Sequence, residues 1–231
     1  MRLKDPPLLA ATAAIGAMMA IAGQLNSAPE LVWLFTPLTT LLIVWAAWRR
    51  GAVADRYAQF IFVGLLLSLV GDLLMIPRGW HLWGVAAMTL AHLAYLRAFT
   101  ADSPRWRVRG PLLACLLLGA LLLYLIWPRL HASWQVVMSL HLLLLCLTTA
   151  QAHSRARLAH RLGQAGPLAR QAALGMTLLF LAGALLALSR FWAAIPLAPL
   201  WILVTYWAGQ VMIALSIPVH PDNRTDTQAL A

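Results

Sequence analysis

The sequence predicts an all-α polytopic membrane protein, a bundle of eight transmembrane helices. Three observations carry that expectation: composition, eight apolar runs, and an alternation of basic residues. Hydrophobic residues make up 62% of the 231 and charged residues 10%, against about 25% charged in an average soluble domain. So apolar a chain lacks the polar surface to cover itself in water, and its solvent is lipid. The composition excludes a water-soluble globule, a nucleic-acid-binding domain and a disordered chain. The net charge of +10 therefore reads as loop charge on one side of a membrane rather than as a nucleic-acid footprint.

The runs fall at roughly 8–25, 31–48, 57–77, 80–99, 110–127, 132–151, 167–189 and 197–217, each near the ~20 residues that cross a bilayer as helix. The first follows Arg2 and Lys4 like a signal sequence. It is long for one, and Pro29 follows Asn26-Ser27-Ala28 where cleavage would fall, so it is expected to remain a helix. The links are short, giving one domain over 1–219. The polar tail 220–231 is expected to be disordered. Basic residues cluster on alternate connections: Arg2 and Lys4; Arg49, Arg50 and Arg56; Arg97, Arg105, Arg107 and Arg109; Arg155, Arg157, Arg161 and Arg170; Arg224. These are 14 of the 17, and only Arg78, Arg129 and Arg190 fall on the opposite set. That bias puts both termini in the cytoplasm; compact loops suggest a bacterial inner membrane. Trp80, Trp83, Trp127, Trp134, Trp192 and Trp201 lie near the opposite ends of spans, as in an interfacial belt. Cys115 and Cys146 sit inside apolar runs and read as small buried side chains, not as a disulfide or a metal site.

Asp72 is the one acidic residue well inside a span. A carboxyl there is costly and faces a protein interior or a watery cavity, as a site group or as a structural hydrogen-bonding partner. Ser68 is one turn away on the same face, and Gly71 permits close approach of a helix or ligand. In the fourth span Gly84, Met88, His92, Tyr95 and Phe99 share one helix face, which makes His92 a candidate site group or a satisfied interhelical bond. Tyr206 and Gln210, at i, i+4, share a face of the eighth span. Arg190 follows Ser189 at the end of the seventh, where it either snorkels to the headgroups or turns toward Asp72. His141, alone in the sixth span, reads as packing.

These residues resemble the YhhN family, whose members include lysoplasmalogenases. The block from Leu67 to Phe99 carries the resemblance: Ser68-Leu-Val-Gly71-Asp72-Leu-Leu-Met75, then Gly84, His92, Tyr95 and Phe99. Pro37, Gly183 with Ser189, and Tyr206 with Gln210 extend it over most of the chain. Three positions depart from the family pattern, among them Ala187 at the place of a phenylalanine in the seventh span. Thr36 stands where a lysine usually precedes Pro37, and Arg190 takes the place of a second acid.

The resemblance implies an eight-helix integral membrane protein that hydrolyses the vinyl ether bond of lysoplasmalogens, releasing a fatty aldehyde and a glycerophospho-head group. That chemistry needs a proton delivered to the vinyl carbon and water delivered to the resulting cation. Asp72 is the expected acid, since burial disfavours the charged form of a carboxyl. His92 is the expected relay or base. Ser68, Tyr95, Ser189, Arg190, Tyr206 and Gln210 are expected to bind substrate, with Arg190 on the lipid phosphate. The expected partners are a lysophospholipid substrate and membrane lipids, with no metal, cofactor or nucleic acid. The alternative is a lipid-binding or small-molecule transport protein of the same fold without catalysis.

Overall fold

In lipid every backbone polar group must be satisfied inside the segment, so a spanning chain is helical. The computed structural model describes residues 6–103, 105–163 and 166–219. It contains α1 (Pro6–Leu25), α2 (Pro29–Arg49), α3 (Arg56–Met75), α4 (His81–Phe99), α5 (Arg109–Ile126), α6 (Ala132–Arg161), α7 (Gly166–Phe191) and α8 (Ala198–Leu215), with a 3-10 turn Trp127–Arg129 after α5. No strand occurs among the described residues. Seven helices are long and apolar enough to cross a bilayer; in α1 the described apolar stretch, Ala11–Leu25, is shorter. The tail 220–231, with Arg224, and Arg2 and Lys4 lie outside the described residues.

The distribution of side chains is that of a protein dissolved in lipid. Leu34, Leu41, Leu117, Leu118, Val136 and Leu140 are exposed, whereas Thr40, Ser68, Asp72, Thr89, His92 and Gln210 are buried. Polar groups turn inward because only protein partners can satisfy them there. The helices pair as α1 with α2, α3 with α4, and α7 with α8. α6 joins α4, α5 and α7, and α2 and α8 close the bundle. At the α7–α8 crossing two glycines meet. A Cβ on Gly175 would stand 2.8 Å from the Gly209 carbonyl oxygen, and one on Gly209 equally close to that of Gly175. Backbone contact of this kind needs small residues on both sides.

α6 is 30 residues long and outruns the expected 132–151. Its extra turns carry Gln151, Ser154 and Arg155, which tie down the α4–α5 connection. The Trp106 amide donates to Gln151 at 2.7 Å and the Val108 amide to Ser154 at 3.0 Å. Arg155 donates to Asp102 at 2.8 Å and lies over the Tyr57 ring. At the same end Arg50 donates to the Ile217 carbonyl, and Tyr57 and Ser216 share a hydrogen bond. The basic connections therefore gather at one end of the bundle, called the basic end below. Trp80, Trp83, Trp127, Trp192 and Trp201 are exposed at the other.

Candidate active site

A cavity of about 550 Å³ occupies the half of the bundle away from the basic end. Asp72, His92, Tyr206 and Gln210 lie along its inner part, and His81, Ser189 and Arg190 with the α7–α8 connection along its rim. Thus α3, α4, α7 and α8 bring six of the eight predicted site residues to one space. Ser68 and Tyr95 are not in its wall. They form a layer beneath it, where the Tyr95 hydroxyl donates to Gln210 at 2.7 Å and lies 3.4 Å from Ser68. Tyr95 is wholly buried and Gln210 nearly so, so this layer closes the cavity toward the basic end and fixes the Gln210 amide. Gly71 admits a helix rather than a ligand, since its Cβ position is pressed by the Met88 side chain.

Asp72 is held from α2 and α8. The Thr40 hydroxyl donates to Asp72 Oδ2, and the indole of Trp207 donates to Thr40 Oγ1 at 3.1 Å. The Tyr206 hydroxyl lies beside the Asp72 carboxyl and the Gln210 amide but closes no hydrogen bond in strict geometry. Asp72 is 5% exposed and yet lines the cavity. No ion pair forms with Arg190. Among the described residues the ion pair is that of Arg155 with Asp102. Arg190 is exposed at the rim, with its guanidinium 5.6 Å from the Trp134 ring centroid and His81 as an electrostatic neighbour. Its distance from the acid follows from its place in the last turn of α7, where the long side chain reaches the interface.

His92 makes no hydrogen bond to Asp72; the two share the cavity. Its Nδ1 faces the Met88 carbonyl oxygen at 2.6 Å, and its Nε2 is buried without a partner. Its ring lies edge-on to that of His141, at 5.2 Å between centroids. His141 is also in the cavity wall, so it is more than the packing residue the sequence suggests. Thr36, at the place of the family lysine, lines the cavity too, with an unpartnered buried hydroxyl. Sequence reasoning missed Thr40, Thr89 and Trp207. The one available signal was the pair Thr39-Thr40, two hydroxyls in an otherwise apolar span.

In summed chemistry, the cavity offers one carboxyl supported by a hydroxyl, two imidazoles, a phenol and an amide in an apolar enclosure, with a guanidinium at the mouth. Among the described residues no three His, Cys, Asp or Glu side chains stand close enough to hold a metal ion.

Comparison with known proteins bears on what this site belongs to. Membrane proteins called YhhN from Escherichia coli and Shigella flexneri, themselves uncharacterised, are 40% identical over 101 residues, which is 43% of this chain and 48% of theirs. The match thus spans about half the length of those relatives. Lysoplasmalogenase TMEM86B of Sus scrofa is 32% identical over 187 residues, 80% of this chain and 74% of that protein. Lysoplasmalogenase TMEM86A of Homo sapiens is 28% identical over 166 residues, 71% of this chain and 67% of that one. No solved structure matches the chain. The sequence profile of the YhhN family matches residues 31–217, which takes in α2 through α8 and every residue of the cavity except Gln24. On that extent of agreement, this multi-pass membrane protein belongs to the YhhN family.

Proposed function

We propose that the protein is a lysoplasmalogenase-like hydrolase that cleaves the vinyl ether bond of a single-chain ether phospholipid. The observation that carries the reading is a carboxyl, Asp72, buried in the bundle yet in contact with a cavity of about 550 Å³, within the range of sites that take small-molecule ligands. Relatives named lysoplasmalogenase, similar over most of the chain, supply the reaction class.

Protonated Asp72 gives its proton to the distal carbon of the double bond, leaving an oxocarbenium ion. Its carboxylate form then faces that cation, and the Thr40 hydroxyl bonded to Oδ2 stabilises the negative charge. Water adds to the oxocarbenium carbon. The resulting hemiacetal splits into a fatty aldehyde and a glycerophospho-head group. Tyr206 and Gln210 orient the reacting end, and Arg190 at the rim meets the lipid phosphate. The tail lies along the apolar wall made by Leu179, Leu186, Ile202 and Leu203. The bias of basic residues supports cytoplasmic termini and an inner-membrane location.

The test is incubation of purified protein with a lysoplasmenyl lipid, scored by aldehyde. Wild type releases aldehyde. Asp72→Asn, which keeps the shape but has no acidic proton, loses on the order of 10²- to 10⁴-fold in kcat, the usual share of a general acid. An Asp72→Asn variant with full activity discards this mechanism.

A further inference from the structure

Two imidazoles face the cavity, and their hydrogen bonds fix both in the same tautomer. On α4, His92 Nδ1 stands 2.6 Å from the Met88 carbonyl oxygen. A carbonyl only accepts, so Nδ1 carries the ring proton and Nε2 carries the lone pair. On α6, His141 Nδ1 stands 3.0 Å from Thr89 Oγ1. The Thr89 hydroxyl already donates to the Val85 carbonyl at 2.7 Å, so its oxygen accepts from Nδ1–H, and here too Nε2 is bare. The ring centroids are 5.2 Å apart with planes at 78°. Both residues line the same cavity. His92 is 6% exposed and its Nε2 has no partner among the described residues. A buried acceptor left alone is costly, so a hydroxylic molecule is its natural partner.

We propose that His92 and His141 together hold the attacking water, each Nε2 accepting one of its hydrogens, with Thr89 as the positioning residue that sets the His141 tautomer. The inference rests on the vinyl ether hydrolysis above and assigns its second half. A water that donates both hydrogens to imidazoles turns its oxygen lone pairs toward the cavity, where the oxocarbenium carbon forms. As the new C–O bond closes, one water proton passes to an Nε2. When the hemiacetal splits, that imidazolium returns its proton to the departing glycerol oxygen, and the hemiacetal hydroxyl proton goes to Asp72. Both groups end as they began, and one water is consumed. The arrangement also explains why α4 places a threonine one turn before His92 on the side of α6.

One arm of the test needs no turnover. With histidine ¹⁵N-labelled and the protein in lipid nanodiscs, NMR should show His92 and His141 protonated at Nδ1 alone. A proton on Nε2 of either ring overturns the proposal. Bare Nε2 atoms with bonded Nδ1 groups are also how imidazoles hold a metal, so a stoichiometric transition metal in the purified protein overturns it as well. In the kinetic arm, His141→Leu lowers kcat at least tenfold with KM within twofold. His141→Gln, whose amide reaches the place of Nε2, keeps more. Thr89→Val, nearly the same shape and so safe for folding, lowers kcat and puts protons on His141 Nε2, while Thr89→Ser restores both. With methanol present, His141→Leu raises the ratio of trapped mixed acetal to aldehyde, since the site no longer favours water; a merely structural histidine leaves that ratio fixed. If wild type releases no aldehyde, the hydrolase reading and this one fall together. If wild type is active and His141→Leu matches it in kcat and partition, the water pair alone falls.

Discussion

Thr40 couples Asp72 to two other helices, through its own bond to Oδ2 and through the one it accepts from Trp207. Hydrogen bonds to a charged group are worth about 1.5–3 kcal/mol, and 1.4 kcal/mol is about tenfold in rate. Thr40→Val keeps the volume and removes the donor. It should lower kcat by about tenfold or more, with KM little changed and the folded yield intact. Arg190 is expected to act on the other parameter. It sits at the rim, so Arg190→Gln should raise KM severalfold for a phosphate-bearing lipid and leave kcat nearly as it was, the pattern of binding lost equally from ground and transition states. An equal fall in kcat would place Arg190 at the chemistry instead. That Asp72 and His92 turn inward was legible because charge and imidazole are rare in a span and expensive there, and Tyr206 with Gln210 showed as a polar pair on one helix face. Thr40 and Thr89 were not. Threonine is common in membrane helices, where its hydroxyl bonds its own backbone, as Thr205 does, and nothing in the chain tells a threonine aimed at a carboxyl from one that is not. Ser68 and Tyr95 share faces with the site groups, and spacing cannot say that they lie one layer too deep.

At the scale of helices, the α7–α8 crossing is the place where substitution has no room to be absorbed. Gly175 and Gly209 each face the other's backbone oxygen as well as side chains, and no rotamer change can move a backbone oxygen. Gly175→Leu should destabilise the bundle by about 1–3 kcal/mol or more, the cost of overpacking, read as a fall in thermal midpoint in detergent. Leu174→Ala, at an exposed position of the same helix, should shift it little. Span positions were legible to within a few residues, because a bilayer fixes how many apolar residues a helix needs. The ends were less so. α6 runs on through His153, Arg155 and Arg157 because its polar turns are paid back by the α4–α5 connection, a tertiary partner invisible to a hydropathy window. The facing of each helix was also hidden, since lipid and protein interior are both apolar and the usual contrast between faces fades.

For the whole molecule, the basic end and the aromatic end predict a topology. Ala54 and Arg78 are exposed in connections at opposite ends. In intact cells a membrane-impermeant maleimide should label Arg78→Cys, and should label Ala54→Cys only after the membrane is opened; the reverse pattern would invert the protein. The eight-helix bundle was legible as a class, from composition and charge alternation, while the cavity was not, because a void is a property of how helices lean together. That void reaches the surface beside Arg190 and the α7–α8 connection. Behind it stands the buried Tyr95–Gln210 layer, between the cavity and the basic end. If the proposed hydrolase reading holds, a lysolipid should be drawn from the monolayer on the Arg190 side. In sealed vesicles that hold the protein in a single orientation, turnover should stall once that leaflet is spent, and resume only when a scramblase or a membrane-disordering agent brings the hidden half of the lipid across.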